Sequence, residues 1–288
     1  MRNTGGSAVG EPWGAGISAR GLGVRGPRGW AFRAVSFDAE PGSLLAVDGL
    51  SGSGRTCLLL AITGRMRPAE GTAVVGGLPL PRRMAAVRRF SAPAHMAGVT
   101  DLEPALTVGE HLRERALLQR RFGDAPGGVL RGLLRSPAER ARAARERTAA
   151  ALDAAGLDVA ALPKGPRTAV RDLERLEALR LSVALALVGR PRLLAVDDVG
   201  LKLSDEDRDR AWALLADLAL EGTTVVAAGE GAPEGTPAVR LGEAGSTTDG
   251  DSRDSDDSDD SDDSDDSDDS DDSDEKGPAR ASAEARRA

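Results

Sequence analysis

Apolar and polar positions follow two different periods along most of this chain. Short, nearly continuous apolar runs predict β-strands, and stretches with apolar residues three or four positions apart predict α-helices. The predicted strands are 31–37, 43–49, 72–77, 192–198 and 223–229. The last three are so continuously apolar that we expect strands buried on both faces. Residues 101–190 show helical patterns without a convincing strand, which predicts an α/β protein whose mixed-sheet core is interrupted by a helical subdomain.

Three of the predicted helices begin at residues that can cap a helix N-terminus. In this arrangement a side-chain oxygen accepts a hydrogen bond from an unpaired backbone N–H group, and an acidic side chain three residues later returns the contact. The three pairs are Thr107 with Glu110, Ser136 with Glu139, and Ser204 with Asp207. We therefore expect helices to start just after residues 107, 136 and 204.

The two ends of the chain differ in composition from the body between them. Residues 1–17 are rich in glycine and aperiodic, which predicts a flexible N-terminal arm. Residues 245–288 contain six unbroken Ser-Asp-Asp repeats from Ser255 to Asp272. These repeats offer no apolar side chains to offset chain entropy and their like charges repel, so we expect a disordered tail. The predicted globular body is residues 18–244.

The net charge of −8 is an average over these unlike parts. Residues 249–288 hold 18 acidic and 5 basic residues, so the other 248 residues carry a net charge of +5. Arginine and alanine abound throughout, a bias that a GC-rich genome produces by itself. Aromatic residues, which would stack on bases, make up only 2% of the chain. We therefore expect no nucleic-acid partner.

The composition also bears on the membrane and on disulfides. No apolar run approaches the roughly 20 residues that a membrane-spanning helix needs, and the N-terminus lacks the basic and apolar regions of a signal peptide. The chain is therefore expected to be soluble and cytoplasmic. Cys57 is the only cysteine, which excludes an internal disulfide bond and a cysteine-based metal cluster.

The segment 47–61, VDGLSGSGRTCLLLA, has the order of strand, glycine-rich loop and helix that a phosphate-binding loop needs. The pattern of such a loop is G-x-x-x-x-G-K-[ST]. Its glycines allow backbone N–H groups to surround phosphate oxygens at the start of the helix. Here an arginine stands in the lysine position. The residues predicted to contact a nucleotide are Gly49, Ser51, Gly52, Ser53, Gly54, Arg55, Thr56 and Cys57.

A second motif lies in the predicted strand 192–198, which ends in two acidic residues. An apolar strand with this ending is typical of a Walker B motif, and it places Asp197 to hold Mg²⁺ opposite the hydroxyl group of Thr56. With the two motifs in this order, residues 18–242 resemble the ATP-binding cassette, the nucleotide-binding subunit of ABC transporters. The segment LEPALTVGEHLRER at 102–115 is similar to the part of that family that follows its glutamine loop. The resemblance implies ATP and Mg²⁺ as cofactors, a membrane permease as partner, and a homo- or heterodimer of cassettes.

The chain departs from this family at the signature motif LSGGQ, which contacts the nucleotide of the partner cassette in the family's dimers. The corresponding residues, Leu173 to Glu177, read LERLE, and no glycine occurs from 167 to 187. Glu174 takes the place of the serine that would donate a hydrogen bond to phosphate. The pattern over 170–187 predicts instead one continuous amphipathic helix with its charged side chains directed outward.

Two more catalytic positions of the family are changed. The only glutamine, Gln119, follows the LTV segment that the glutamine loop should precede. Both histidines, His95 and His111, precede the Walker B strand that the switch histidine should follow. By register, Glu230 occupies the position of that histidine. The resemblance therefore implies a site without its metal-sensing glutamine and without its switch histidine.

Further replacements affect the base of the nucleotide and the attacking water. Gly26 stands where most relatives have an aromatic residue that stacks on adenine, and Trp30 either substitutes for it or serves only in packing. Asp198, the one candidate catalytic residue, stands where the family has a glutamate. Its side chain is shorter by one methylene group, which is expected to misplace the water by about 1 Å or more and to cost on the order of 100-fold in rate.

Arg55 keeps the positive charge of the family's lysine and can hold a phosphate group with two N–H groups. Its planar guanidinium group is wider and longer than an ammonium group, so the exchange is not conservative in a tight loop. Two interpretations stay open. Either Arg55 binds phosphate in a reshaped site, or it forms a surface salt bridge over an empty loop.

These departures lead to two hypotheses on function. In the first, the chain is an ABC-type nucleotide-binding subunit of a membrane transport system, peripheral at the inner face of the membrane, with weak or no ATP hydrolysis. In the second, it is a non-catalytic regulatory or scaffold protein with the same fold and no need for nucleotide. The sequence favours loss of hydrolysis because several catalytic positions are changed at once. It does not discriminate on membrane association.

Overall fold

The computed structural model describes residues 13–27, 29–122 and 136–242. In these residues nine strands form two sheets. The antiparallel sheet contains β1 (Ile17–Gly26), β2 (Gly29–Ala39), β4 (Glu70–Val75) and β5 (Leu78–Leu80), in the order β2-β1-β4-β5. The parallel sheet contains β3 (Leu44–Asp48), β6 (Ser91–Ala94), β7 (Leu193–Val199), β8 (Thr224–Gly229) and β9 (Ala238–Arg240), in the order β6-β7-β8-β3-β9. The predicted α/β class is confirmed, with the antiparallel and parallel strands in separate sheets.

Six α-helices connect these strands in the described part of the chain. They are α1 (Arg55–Ile62), α2 (Met84–Phe90), α3 (Val108–Phe122), α4 (Pro137–Ala154), α5 (Arg175–Leu187) and α6 (Asp205–Leu220). Helices α3, α4 and α5 and two short 3-10 turns lie between β6 and β7, and the described residues from 101 to 190 contain no strand. A helical region therefore interrupts the parallel sheet where the periodicity predicted it. None of the described helices has the length and apolarity needed to cross a membrane.

The parallel sheet lies between two hydrophobic clusters. On β7, Leu193 and Ala195 pack in the cluster shared with the antiparallel sheet and α1, whereas Leu194 and Val196 pack in the cluster shared with α5 and α6. All six residues of β8 are buried. Because side chains of a strand alternate between its faces, this pattern shows that both faces are covered. The expected burial of 192–198 and 223–229 on both faces is confirmed.

The same expectation is wrong for 72–77. In β4, Ala73 and Val75 are buried but Val74 is 41% exposed. The strand belongs to the antiparallel sheet, in which one face packs on the core and the other contacts solvent. The aliphatic run therefore includes a residue on the solvent face.

Four strands were not predicted as separate elements. β1 contains three glycines and shifts in register against both of its neighbours, which obscures the alternation of a strand. β5 and β9 have only three residues each. β6 has four residues, Ser91–Ala94, and includes Pro93. Proline is tolerated there because β6 is an edge strand of the parallel sheet.

The first described residues pack on the body, so the predicted N-terminal arm ends earlier than residue 17. Ala15 is fully buried and its N–H group donates a 3.0 Å hydrogen bond to the carbonyl of Arg192. The guanidinium group of Arg192 in turn donates to the carbonyl oxygens of Trp13 and Gly14. Residues 1–12 of the predicted arm and the predicted tail 245–288 lie outside the described residues.

The three predicted helix starts are present. The side chains of Ser136 and Ser204 accept hydrogen bonds from the N–H groups three residues later, at the starts of α4 and α6. At the start of α3, the hydroxyl oxygen of Thr107 accepts from the N–H group of Glu110 at 3.3 Å, and the Glu110 carboxylate accepts from the Thr107 N–H group at 2.8 Å. Side-chain chemistry thus fixed these helix starts as expected.

The continuous helix predicted over 170–187 is wrong in its first turn. Val170–Asp172 is a 3-10 turn, Leu173 is extended, and α5 begins only at Arg175. The helix also lacks the single apolar face that was expected, because it packs against two hydrophobic clusters on different sides. Leu179 packs in one of them and Leu181 in the other.

Candidate nucleotide site

The glycine-rich loop 49–54 connects the end of β3 to the start of α1. Gly49, Gly52 and Gly54 have φ values of 156°, 83° and 91°, and the last two lie in the left-handed region that favours glycine. A Cβ atom at Gly54 would lie 2.2 Å from the carbonyl oxygen of Ala31, whereas one at Gly52 would have no neighbour within 4 Å. Packing therefore requires Gly54, and Gly52 leaves the backbone open to a ligand.

The N-terminal end of α1 has neither a side-chain cap nor an acidic residue in its first turn. Its unpaired N–H groups and the positive end of the helix dipole are therefore available for an anion. Just before the helix, Ser53 is 3% exposed, and its buried hydroxyl oxygen has no hydrogen-bond partner. Buried polar groups are nearly always paired, so this hydroxyl fits a site that is completed by a ligand. Ser51 and Gly52 are exposed at the tip of the loop.

Strand β7 brings its acidic end to the same helix. The hydroxyl group of Thr56 donates a short hydrogen bond to the Asp197 carboxylate, and Asp197 is 2% exposed. Burial raises the pKa of Asp197, while the hydrogen bond from Thr56 opposes that rise. Burial also raises the pKa of the Cys57 thiol, and the charge of Asp197 adds to the effect. Thr56 and Asp197 are thus brought together as predicted.

These two oxygen donors fit a magnesium ion. Mg²⁺ typically takes one or two protein oxygen ligands and completes its shell with water and substrate phosphates. Among the described residues no group of three or more His, Cys, Asp or Glu side chains could hold a metal ion.

Asp198 lies in a bulge of β7. Between the pairs Val196–Ala227 and Val199–Gly229, two residues of β7 oppose one residue of β8. Asp198 is one of the two and has φ 50°. Its carboxylate lies 4.0 Å from the guanidinium group of Arg55, with 17% of the Arg55 side chain and 33% of the Asp198 side chain exposed. The salt bridge considered for Arg55 is therefore formed, but inside the site and not on the surface.

His95 is a site residue that sequence reasoning missed. It follows β6, the neighbour of β7, and has φ 52°. It lines a small cavity together with Asp198 and with the first residue of α5, Arg175. Burial lowers the pKa of His95, and the charges of Asp198, Asp197 and Asp101 oppose that shift. His95 could not be placed from the sequence because β6 is short and contains a proline, so it was not predicted as a strand. Only the pairing of β6 with β7 brings His95 to the edge of the site.

The start of α5, where the family has its signature motif, differs from the start of α1. Glu174 is the N-cap residue of α5, and its N–H group donates a 2.8 Å hydrogen bond to the carboxylate of Glu177. Leu176, in a position where the family has glycine, is buried and packs in the core. This helix start is therefore covered by acidic and apolar side chains.

The remaining predicted positions are placed as follows. Glu230 comes directly after β8 and is exposed, and its carbonyl oxygen accepts a 3.0 Å hydrogen bond from the indole of Trp212. His111 is 8% exposed on α3, with its Nε2 atom 3.3 Å from the carbonyl oxygen of Glu103. Gln119 lies on α3 close to Gly189 and not in the loop after β6. Each of these three residues thus lies next to another part of the fold.

Trp30, the aromatic residue considered for stacking on adenine, lies in β2. It directly precedes Ala31, whose carbonyl oxygen limits the space at Gly54. The guanidinium groups of Arg33 and Arg25 lie 4.8 Å and 5.8 Å from the centre of the ring. Gly26, the position given by register, is at the end of β1 and pairs with Gly29. The Trp30 ring thus contacts two cationic groups of the antiparallel sheet.

The strand, the glycine-rich loop, the uncapped helix and the adjacent acidic strand define a P-loop nucleotide-binding fold. Residues 32–199, more than half of the chain, match the family model of the ABC transporter. The chain therefore belongs to this family, as the two motifs predicted. It is an ATP-binding cassette.

Named relatives are similar over most of this chain. The ribose import ATP-binding protein RbsA 1 of Rubrobacter xylanophilus is 29% identical, over 73% of this chain and 38% of that protein. The Fe(3+) ions import ATP-binding protein FbpC of Streptomyces avermitilis is 33% identical, over 67% of this chain and 49% of that protein. The chain thus spans half or less of the length of these two relatives.

Solved structures support the fold. The dimeric structure of MJ0796, a bacterial ABC transporter cassette, has a TM-score of 0.58 at 20% identity, covering 79% of this chain and 96% of that chain. The structure of cbiO1 from Clostridium perfringens, part of an ABC transporter complex, has a TM-score of 0.58 at 18% identity, covering 75% of this chain and 78% of that chain.

Proposed function

We propose that this chain is a nucleotide-binding subunit of a membrane transport system that binds ATP with Mg²⁺ and hydrolyses it weakly or not at all. The observation that carries the proposal is the contrast between a phosphate loop that keeps its glycines, its uncapped helix start and Thr56, and a changed catalytic surrounding. The names of the relatives, which are import ATP-binding proteins, support the transport context. ATP binding and the lack of turnover are both open to direct test.

Each part of the loop has a defined task in this proposal. The backbone N–H groups of 52–56 and the guanidinium group of Arg55 hold phosphate oxygens at the positive end of α1. The hydroxyl of Ser53 gains the partner that it lacks in the described site. Thr56 and Asp197 hold Mg²⁺, which, when bound, neutralises charge on the phosphate groups. Cys57 contributes its N–H group at the first turn of the helix.

Loss of hydrolysis follows from the groups around this loop. The start of α5 presents Glu174 and Glu177 where the family offers glycine N–H groups and a serine hydroxyl. Carboxylates repel phosphate oxygens, so this helix start cannot stabilise charge that develops on the γ-phosphate of a partner cassette. Asp198, the candidate catalytic residue, is paired with Arg55. A misplaced base and a missing signature contact together predict very slow turnover.

Location and partners follow from the family. We infer a cytoplasmic protein, peripheral at the inner face of the membrane, that contacts a permease and pairs with a second cassette. The pair is a homodimer or a heterodimer. In a heterodimer, a competent partner cassette would hydrolyse ATP at one composite site while this chain contributes a binding site only.

The alternative is a regulatory or scaffold cassette that does not need nucleotide. One observation favours it. In the described site, Arg55 forms an ion pair with Asp198, and Thr56 donates a hydrogen bond to Asp197. The groups expected to bind phosphate and metal therefore already have partners within the protein. A protein that never bound ATP would be stable in this arrangement.

Calorimetry and phosphate release distinguish these functions. We expect purified protein to bind ATP with Mg²⁺ and to release no phosphate above background. Thr56→Val should weaken binding about tenfold or more, because it removes a ligand of the metal. Thr63→Val at the C-cap of the same helix is the control, since its hydroxyl donates to the backbone carbonyls of Leu59 and Leu60 and not to Asp197. Steady phosphate release would contradict the proposal, and absence of ATP binding would favour the scaffold alternative.

A further inference from the structure

We propose that Asp198 acts as an internal lock on the phosphate loop, holding Arg55 in an ion pair that a nucleotide must break. The proposal rests on the proposed nucleotide site and adds a control on its affinity. It assigns Asp198 a role different from that of a water-activating base. Three observations on the end of β7 support it.

The first observation is that the backbone is built to place this side chain. The bulge adds a residue to β7 between the pairs Val196–Ala227 and Val199–Gly229. Asp198, with φ 50°, lies in the left-handed region, which is unfavourable for a residue other than glycine. Bulges typically redirect a side chain next to a functional site. Here the redirected carboxylate faces the start of α1.

The second observation is the ion pair itself. The Oδ1 atom of Asp198 lies 4.0 Å from the guanidinium group of Arg55, and both side chains are mostly shielded from solvent. The other carboxylate of β7, Asp197, is occupied by the hydroxyl of Thr56 and by the N–H group of Asp198. Among the described residues, Asp198 is therefore the acidic side chain that forms an ion pair with Arg55.

The third observation concerns the uncapped start of α1. The helix has no acidic residue of its own in the first turn, so Asp198 supplies the nearest fixed negative charge to Arg55. A guanidinium group presents a planar fork that binds two oxygens of one carboxylate or of one phosphate. Asp198 makes a single contact of 4.0 Å with this group, so a phosphate that binds the fork competes with the carboxylate for the guanidinium charge. The cost of breaking the pair lowers the apparent affinity for nucleotide.

The surroundings of Asp198 allow it to accept a new position when the pair breaks. It lines the same small cavity as His95 and Arg175. Arg175 is the first residue of α5 and carries a second guanidinium group that can attract the released carboxylate. After Arg55 is released, the Asp198 carboxylate therefore still has a cationic neighbour in Arg175.

A double-mutant cycle tests the lock. Binding of a non-hydrolysable ATP analogue with Mg²⁺, and of inorganic triphosphate, is measured by calorimetry for the wild type, Asp198→Asn, Arg55→Gln and the double variant. Asparagine is the replacement of choice because it tolerates the left-handed backbone better than most residues. Thermal unfolding verifies that each variant is folded. Asp38→Asn, which breaks the exposed Arg20–Asp38 pair on the antiparallel sheet, is the matched control.

The lock predicts that Asp198→Asn lowers the dissociation constant about fivefold when Arg55 is present, the effect of releasing one partly exposed ion pair. In the Arg55→Gln background the same change should have no effect, and Asp38→Asn should have none in either background. Equal tightening in both backgrounds would mean simple repulsion between Asp198 and phosphate, and would overturn the lock. Unchanged or weaker binding by Asp198→Asn would also overturn it. Absence of binding by all four proteins would instead contradict the nucleotide site itself.

Discussion

Two helices start at positions where the ABC transporter family contacts phosphate, and they are built in different ways. Helix α1 begins after three glycines, has no capping side chain, and carries Arg55 as its first residue. Helix α5 begins at a glutamate N-cap, with Glu177 accepting a hydrogen bond from the Glu174 N–H group. The first start leaves its positive end available for an anion. The second has its positive end compensated by its own carboxylates.

This difference separates two tasks that an ATP-binding cassette combines. The α1 end serves the nucleotide of its own chain, and the α5 end would serve the nucleotide of a partner chain. Here the first end keeps the chemistry for phosphate, whereas the second has become an ordinary capped helix start. We therefore expect changes near α1 to alter nucleotide affinity and changes near α5 to alter only stability. Each of the following predictions tests one side of that comparison.

The largest effect is expected at Gly54. Alanine at this position must adopt φ 91° and place its Cβ atom 2.2 Å from the carbonyl oxygen of Ala31. We expect Gly54→Ala to abolish measurable ATP binding and to lower the free energy of unfolding by about 2 kcal/mol or more. Gly235→Ala is the control, because it has φ 83° and open space around its Cβ position. Equal ATP affinity of Gly54→Ala and wild type would show that the loop is not the binding element.

Asp197 gives the next largest effect, and it depends on pH. Its pKa is raised above 3.8 in the folded protein, mainly by burial, so the native state binds a proton more readily than the unfolded state. The free energy of unfolding should therefore fall as pH rises from 3.8 through the raised pKa. Asp197→Asn should remove this part of the pH dependence and abolish the gain in ATP affinity that Mg²⁺ provides.

Denaturant unfolding of both proteins across this pH range, together with calorimetry with and without Mg²⁺, gives the comparison. The contributions of the other carboxylates to the pH dependence cancel when the free energy of unfolding of the variant is subtracted from that of the wild type. Parallel pH curves, or a Mg²⁺ effect that survives in Asp197→Asn, would contradict the assignment.

A smaller effect is expected at the start of α5. Glu177→Ala removes the acceptor for the Glu174 N–H group, which should cost about 1 kcal/mol of stability and leave ATP affinity unchanged. Glu139→Ala at the start of α4 breaks an equivalent capping box and is the matched control. If Glu177→Ala changed ATP affinity while Glu139→Ala did not, the start of α5 would belong to the nucleotide site and the comparison would fail.

The smallest effect is expected for Arg55→Lys. The ammonium group is compact and fits a tight loop better than a planar guanidinium group. It is also less able to form a fork with the Asp198 carboxylate. We expect ATP binding to tighten about threefold, within the range that one weak ion pair provides. Calorimetry that gives equal or weaker affinity would show that arginine is adapted to this loop.

The sequence predicted the fold where local signals are strong. Continuous aliphatic runs identified β7 and β8, and the capping residues Thr107, Ser136 and Ser204 identified three helix starts, because these signals depend on neighbours a few positions away. The loop 49–54 and Asp197 were predicted for the same reason, since each motif is contiguous. The contact between Asp197 and the hydroxyl of Thr56 was expected from the motifs and from the resemblance to a known family.

What could not be predicted depends on contacts between distant segments. The bulge that turns Asp198 toward Arg55 exists only in the pairing of β7 with β8. His95 reaches the site because the short β6 pairs with β7 and because Ser182 of α5 accepts a 2.7 Å hydrogen bond from the His95 N–H group. The helix predicted over 170–187 starts late, at Arg175, because the preceding residues Val170 and Leu173 pack in a hydrophobic cluster. None of these features leaves a periodic or contiguous mark in the sequence.

The fate of bound nucleotide tests the central claim most directly. The protein is incubated with Mg²⁺ and ATP labelled on the γ-phosphate, the complex is isolated by gel filtration, and the bound nucleotide is analysed over several hours. We predict that labelled ATP stays bound and intact. Recovery of bound ADP with released labelled phosphate would contradict the account.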